Sequence, residues 1–193
     1  MPHPQLKMNW PVAKLSEPPV VNLAAGYSLR ACEPYDEEAF VDLMHHCGWN
    51  DWDDRLLDYC KSRLLPGGWF AVIENKSDTL VASAMSLHNY TGRLAYSGTL
   101  GWVGCVTEHR RHGLGTAVVA AATSRLIDAG YRDIELYTEH FRTAALRSYL
   151  RLGYVPDLYN DQVTALWKQL CRDFDWPFSP ELWPTGKDAF PNQ

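Results

Sequence analysis

The most informative stretch of this 193-residue chain is Arg110–Thr116, which joins a predicted strand to a predicted helix. The segment before it, Leu100–Val106, is apolar with two glycines, and the segment after it repeats small and apolar residues at helical spacing. The first backbone N–H groups of a helix have no partner inside the helix and lie at the positive end of its dipole. Glycines let the backbone approach a ligand closely. The stretch therefore predicts a phosphate-binding loop.

Three known phosphate-loop patterns compete for this stretch. The P-loop requires a lysine after its last glycine, and none follows Gly115; the dinucleotide fingerprint has a different glycine spacing. The observed spacing, Arg110-x-x-Gly113-x-Gly115, resembles the pyrophosphate loop of the GNAT superfamily, the acyl-CoA-dependent N-acetyltransferases. A Gly-rich turn that serves only to cap a helix is the alternative for the loop taken alone.

A second block favours the GNAT interpretation. Thr143–Tyr154 resembles the family's A-x-x-x-Y-x-x-x-G-[FY] segment, with Ala145, Tyr149 and Gly153 in place, and it follows a predicted strand at the family's spacing. The likeness is specific from residue 100 to 156. A fainter likeness, in the Gly-Trp-Val strand and the Gly-Tyr-Val-Pro-Asp-Leu segment, links the chain to the mycothiol-synthase-like branch.

The resemblance implies a single-domain α/β (α+β) fold with a mixed, splayed central β-sheet flanked by helices. Hydrophobic periodicity and breakers predict strands at residues 27–32, 69–74, 80–88, 97–106 and 133–138, and helices at 36–47, 51–65, 116–129, 143–151 and 161–174. The predicted organisation is an N-terminal arm that is extended or disordered (1–25), an N-acetyltransferase domain (26–174) and a Trp/Pro-rich C-terminal tail (175–193).

Composition narrows the class of partner. A net charge of −5 and a pI near 5.8 argue against a nucleic-acid partner, and no apolar run is long enough to cross a membrane. Five cysteines without a C-x-x-C pair suit reduced thiols in the cytoplasm. His45-His46-Cys47 lacks a second ligand pair, so no metal is expected.

The resemblance also implies which residues hold acetyl-CoA, the expected co-substrate. These are Val103, Cys105, Val106, Arg110, Arg111, His112, Gly113, Leu114, Gly115, Thr116 and Arg142. In the family the backbone N–H at Cys105 helps hold the acetyl carbonyl, while its thiol is more simply a small buried hydrophobe than a nucleophile. Arg142 departs from the family, which often has Asn there, and could contact a cofactor phosphate or a substrate carboxylate.

Two side chains are the candidates for proton transfer. By resemblance, Tyr149 donates a proton to the departing sulfur, which a phenol with a pKa near 10 can do; the alternative is a core aromatic. Strand alternation places Tyr137 and Glu139 on one face, and Tyr137 stands where relatives carry a glutamate. Glu139 is the predicted base, with Glu108 and a water relay as the second choice.

The family's acceptor site forms largely from the first two helices and their connection. In that connection Trp49, Asp51 and Trp52 could hold an ammonium by charge and by cation–π contact. The alternative is that Asp51 caps a helix and both tryptophans pack. Trp176 and Trp183 of the tail could fold over the same cleft or mediate a homodimer contact.

These observations predict an enzyme that moves acetyl from acetyl-CoA to a primary amine of a small molecule by direct attack. A protein or peptide N-terminal acetyltransferase, which needs an open groove, is one alternative. A non-catalytic CoA-binding sensor is the other, because the family's Asn is missing and the base is unassigned.

Overall fold

A computed structural model describes residues 4–186. Within them lie strands β1 (Leu6–Asn9), β2 (Tyr27–Ala31), β3 (Leu64–Glu74), β4 (Thr79–His88), β5 (Ser97–Cys105), β6 (Asp133–Thr138) and β7 (Val155–Pro156), and helices α1 (Glu37–His46), α2 (Asp54–Arg63), α3 (Leu114–Asp128), α4 (Thr143–Leu152) and α5 (Asp161–Phe174). The chain divides into a central unit (Val12–Ile134) and a terminal unit, which joins the segment through Pro11 to the chain from Glu135 onward. The predicted mixed α/β class is confirmed.

In the central unit, β2, β3, β4 and β5 pair in that order, each antiparallel to the next. Alternation along β4 sends its side chains to two helical layers. Met85 and Leu87 join the core cluster that includes Phe40 of α1, whereas Ser86 Oγ donates to Ala122 O of α3 at 2.9 Å. Helices α1 and α3 therefore cover opposite faces of this sheet.

In the terminal unit, β1 lies between β6 and β7 and is antiparallel to both, with Leu6 opposite Thr138 and Met8 opposite Pro156. Leu6 and Met8 are fully buried. This strand is missing from the sequence prediction, because four residues among several prolines carry too short an alternation to stand out. Disorder, one of the two states expected for the N-terminal arm, does not hold for Leu6–Asn9.

The opposite face of β1 carries an ionic cluster. Lys7 Nζ lies 3.1 Å from Glu135 Oε2 and 3.5 Å from Asp157 Oδ2, and Asn9 Nδ2 donates to Asp157 Oδ2 at 3.1 Å. Both carboxylates are buried. Pairing is what makes burial of such charges tolerable, so Lys7 ties β1 to its two neighbours.

The beginning of α2 corrects one expectation. Asp51 is exposed and does not cap this helix; the cap is Asp53, whose side chain accepts from Leu56 N at 2.8 Å. The helix also ends two residues before the predicted residue 65, because β3 already begins at Leu64. Both candidate caps are aspartates two positions apart, and periodicity alone does not separate them.

The described part of the C-terminal tail packs on the terminal unit. Leu158 N donates to Pro184 O at 2.8 Å, and the Trp183 ring meets Phe178 edge-on with 5.3 Å between centroids. Residues 187–193, which belong to the predicted tail, and residues 1–3 of the predicted arm lie outside the described residues. The boundaries at residues 25 and 174 stay predictions.

Candidate active site

The loop before α3 presents backbone N–H groups to one open side. Gly113 is the N-cap residue with φ +76°, and the first helical hydrogen bond runs from Ala117 N to Gly113 O at 2.9 Å. The N–H groups of Leu114 and Gly115 therefore precede the first intrahelical hydrogen bond, as is usual at a helix start. A Cβ added at Gly113 or Gly115 would meet no atom within 4 Å. The loop thus has the space and the donors to hold an anion.

Cationic side chains surround this loop. Arg110, Arg111 and His112 are exposed, and Arg110 Nε donates to Cys105 O at 3.4 Å. Arg111 has φ +68°, which places its backbone in the left-handed region. At the base of the loop, Tyr27 Oη and His109 Nδ1 lie 2.9 Å apart. The positive charge at this helix N-terminus adds to the attraction of its dipole for an anion.

Strand β5 carries a bulge where the sequence has two glycines. Pairing with β4 shifts between Gly101, opposite Met85, and Gly104, opposite Ser83, so two residues of β5 face one of β4. A Cβ added at Gly104 would lie 2.7 Å from Met44 Cε. The two glycines therefore mark a bulge and a close backbone approach.

The first residue of the bulge, Trp102, has φ +52°. A bulky residue in the left-handed region costs about 1–3 kcal/mol and persists only when its surroundings hold it there. Trp102 is not among the predicted site residues. In the sequence its position is marked only by a large aromatic between two glycines of a central strand.

The thiol of Cys105 is not poised for nucleophilic attack. Burial raises its pKa to about 11, the Cys47 thiol adds to the rise, and Arg110 opposes it. The thiolate is the reactive form, so little of it exists near neutral pH. The backbone N–H of Val106 donates to Val81 O at 2.9 Å. That N–H is therefore already hydrogen-bonded, and the predicted contact of Val106 with the cofactor would have to use its other atoms.

Tyr149 lies in the terminal unit on α4, where its residue is 5% exposed and its ring is 6.1 Å from that of Tyr154. Burial raises the pKa of the phenol, Glu139 adds to the rise, and Arg142 opposes it. The phenol is thus a proton donor throughout the neutral range. Burial also leaves it little surface.

Glu139 and Arg142 form an ion pair close to that phenol, with 2.5 Å between Arg142 Nε and Glu139 Oε2. The Arg142 guanidinium also lies 5.5 Å from the centroid of Phe141. A cavity of about 270 Å³ is lined by Pro4, Gln5, Glu139, His140 and Phe141. The predicted base therefore borders open space within the terminal unit.

The predicted acceptor residues separate in the structure. Trp52 is 3% exposed and packs edge-on against Phe40 and Trp102, with centroids 5.0 and 4.6 Å apart. Trp49 is half-buried, 5.7 Å from Trp102, and Asp51 is exposed. Trp52 is thus packed in the core, whereas Trp49 and Asp51 keep exposed surface; a substrate-binding role for the three residues stays a prediction.

No group of three His, Cys, Asp or Glu side chains in residues 4–186 could hold a metal ion. No helix of the described chain is long and apolar enough to cross a bilayer.

Comparison with known proteins now decides the family. The profile of the acetyltransferase (GNAT) family matches residues 28–154, which include the loop, the bulge and Tyr149. The chain belongs to this family. The resemblance inferred from the two sequence blocks is confirmed, and so is the prediction of an acyltransferase at the level of the family.

Solved GNAT structures share the fold at low identity. A GCN5-related N-acetyltransferase from Sphaerobacter thermophilus is 21% identical with a TM-score of 0.59; the alignment covers 81% of this chain and 50% of that one. The ribosomal-protein-S18-alanine N-acetyltransferase from Escherichia coli is 20% identical with a TM-score of 0.54, over 66% and 76% of the two chains.

A third similar structure is the glucosamine N-acetyltransferase region of a fungal multi-domain β-N-acetylglucosaminidase. It is 18% identical with a TM-score of 0.50, over 79% of this chain and 19% of that one. The chain thus spans half the length of the Sphaerobacter protein and less of the fungal one. No curated protein matches the sequence significantly.

Proposed function

We propose that this chain is an N-acetyltransferase that moves the acetyl group of acetyl-CoA directly to a primary amine, most simply that of a small molecule. The observation that carries the proposal is the loop at Gly113, where the backbone N–H groups at the start of α3, open space at two glycines and flanking arginines come together. This set fits a pyrophosphate. Membership of the GNAT family indicates that the acyl donor is acetyl-CoA.

The residues that would hold acetyl-CoA follow from that fit. Backbone N–H groups of the first turn of α3, together with Arg110, Arg111 and His112, would bind the pyrophosphate, and the backbone of Val103 and Cys105 in the β5 bulge would receive the pantetheine arm and the acetyl carbonyl. When bound, acetyl-CoA supplies an activated thioester. The raised pKa of the Cys105 thiol supports direct attack by the amine without an acyl-enzyme.

Proton transfers are assigned to the terminal unit. The amine nitrogen bonds to the carbonyl carbon as the C–S bond breaks; Glu139 accepts the proton that the amine loses, and the Tyr149 hydroxyl gives a proton to the sulfur. Solvent then returns a proton to Tyr149 and takes the proton from Glu139, which restores both side chains. The buried phenol of Tyr149 is protonated at neutral pH because burial raises its pKa, so it carries the proton that a general acid must give.

A second candidate function also has an observation in its favour. Tyr149 is only 5% exposed, which suits a packed aromatic in a CoA-binding module without catalysis. Transfer to a protein or peptide N-terminus is the remaining alternative, and the likeness to the mycothiol-synthase-like branch stays a prediction.

The test is release of free thiol from acetyl-CoA in the presence of small primary amines and of peptides with free N-termini. We expect release that depends on a small amine and falls about 100-fold or more in Tyr149→Phe, as loss of a general acid does. Tyr96→Phe is the matched control, because Tyr96 is 84% exposed.

Each other outcome selects an alternative. Release with peptides alone would indicate an N-terminal acetyltransferase. Tight CoA binding without amine-dependent release would establish the binding module and overturn the proposal.

A further inference from the structure

Trp102 occupies a backbone conformation that its own side chain disfavours. Its φ is +52°, at a point where β5 gains a residue relative to β4. Residues held in such conformations cluster where a fold needs a local geometry for function. Such a conformation persists only where the surrounding structure holds the residue in place.

An aromatic cluster surrounds the indole of Trp102. Its ring is 4.6 Å from that of Trp52, 5.7 Å from that of Trp49 and 6.4 Å from that of Tyr90, each in an edge-on arrangement. Trp102 and Tyr90 also pack against the core cluster that contains the buried Cys60. Edge-on aromatic pairs are favourable beyond their buried area, and the three aromatic neighbours together fix one position of the indole.

This cluster joins three chain segments. Trp49 and Trp52 lie in the connection between α1 and α2, Tyr90 follows β4, and Trp102 begins the bulge. Trp52 is itself held in the core by Phe40. A rigid body of rings is therefore attached to the strand immediately before Val103.

We propose that Trp102 is a positioning residue: its indole, locked by Trp49, Trp52 and Tyr90, fixes the β5 bulge and so aims the backbone of Val103–Cys105. The role in acetyl transfer rests on the function proposed above, in which this backbone receives the acetyl carbonyl. The same rings connect the α1–α2 segment to the bulge, so the acceptor side and the acyl side share one support.

Two variants separate the ring from the backbone strain. Trp102→Gly removes the ring and can adopt φ +52° freely, whereas Trp102→Phe retains an aromatic edge. Asp78→Gly is the control, because Asp78 has φ +54° in a turn outside the site, so it relieves similar strain without touching the cluster.

The first readout is independent of catalysis. In amide NMR spectra we expect the Val103, Gly104 and Cys105 resonances to move in Trp102→Gly and to stay near their original positions in Trp102→Phe and Asp78→Gly. Unchanged resonances in Trp102→Gly would overturn the proposal. Should that variant not fold, Trp102→Leu against Trp102→Phe gives the same decision.

The second readout is a division between kcat and KM. Loss of one aligned donor to a developing oxyanion costs about 100-fold or more in rate. We expect kcat to fall at least about tenfold in Trp102→Gly, with KM for acetyl-CoA changed less than about threefold, because the loop still binds the pyrophosphate. A rise in KM as large as the fall in kcat, or a kcat within about twofold of the parent, would contradict the positioning role of Trp102. A parent protein without activity would refute the proposed function, and the NMR comparison would still decide the role of Trp102.

Discussion

The loop at Gly113 in the central unit and the surroundings of Tyr149 in the terminal unit differ in which atoms carry their chemistry. Around Gly113 the donors are backbone N–H groups, and their direction depends on where a helix begins and on one positive φ. Around Tyr149 the working atoms belong to side chains, and the neighbouring charges of Glu139 and Arg142 act on the phenol. A backbone site is encoded locally in the sequence, whereas a side-chain site depends on packing from several elements.

The largest expected effect tests the ion pair in the terminal unit. Glu139→Gln and Arg142→Gln each remove one charge of the Arg142–Glu139 ion pair, but only the first removes the proposed base. We expect kcat to fall about 100-fold in Glu139→Gln and far less in Arg142→Gln, measured by thiol release. Equal losses would mean that the pair is structural.

The next effect tests whether the Cys105 thiol is reactive enough to act as a nucleophile. Burial raises the pKa of Cys105 from 9.0 to about 11, so near pH 8 its thiolate fraction is about 100-fold below that of an ordinary thiol. Alkylation of Cys105, followed by mass spectrometry, should be correspondingly slow and should accelerate as pH rises through 11. Arg110→Gln removes a charge that lowers this pKa and should slow the reaction further. Rapid labelling near neutral pH would contradict the assignment.

A smaller effect sharpens the backbone side of the comparison. Gly113 and Gly92 have φ +76° and +73°, both with open space around an added Cβ. Alanine at either position should cost about 1 kcal/mol of stability, measured by thermal unfolding. Only Gly113→Ala should raise KM for acetyl-CoA, by about tenfold, the equivalent of one hydrogen bond to a charged group. A similar KM change in Gly92→Ala would remove the special role of the loop.

The smallest effect concerns the two aspartates before α2. Asp53→Ala removes the cap on Leu56 N and should lower the free energy of unfolding by about 1 kcal/mol. Asp51→Ala should leave stability unchanged, because that side chain is exposed. If Asp51 binds the acceptor ammonium, its variant raises KM for the amine alone; unchanged KM would exclude it from the acceptor site.

The parts that sequence predicted well are those governed by local rules. The loop at Gly113 and the helix carrying Tyr149 follow from glycine spacing and periodicity, and the structure contains both of them. The bounds of α5 also agree with the expected residues 161–174.

The parts that sequence did not predict depend on distant partners. Strand β1 exists because β6 and β7 pair with it, and nothing within residues 6–9 indicates those partners. Trp52 looked like a ligand contact beside an acid, but its burial is decided by Phe40 and Trp102. The role proposed for Trp102 could not be predicted, because it depends on the bulge in β5 and on the positive φ of this residue.

Strand β1 has a consequence for how the chain reaches its native state. The Tyr159 hydroxyl donates to Gln5 O across 154 positions of sequence, and Lys7 meets Asp157 across a similar distance. Contacts of this kind require a long loop to close, with its loss of chain entropy, before any stabilising bond forms. They therefore slow folding. In the central unit, each strand from β2 to β5 pairs with the next strand along the chain. We therefore expect the central unit to acquire protected amides first, and the β1 pairings to set the slowest refolding phase.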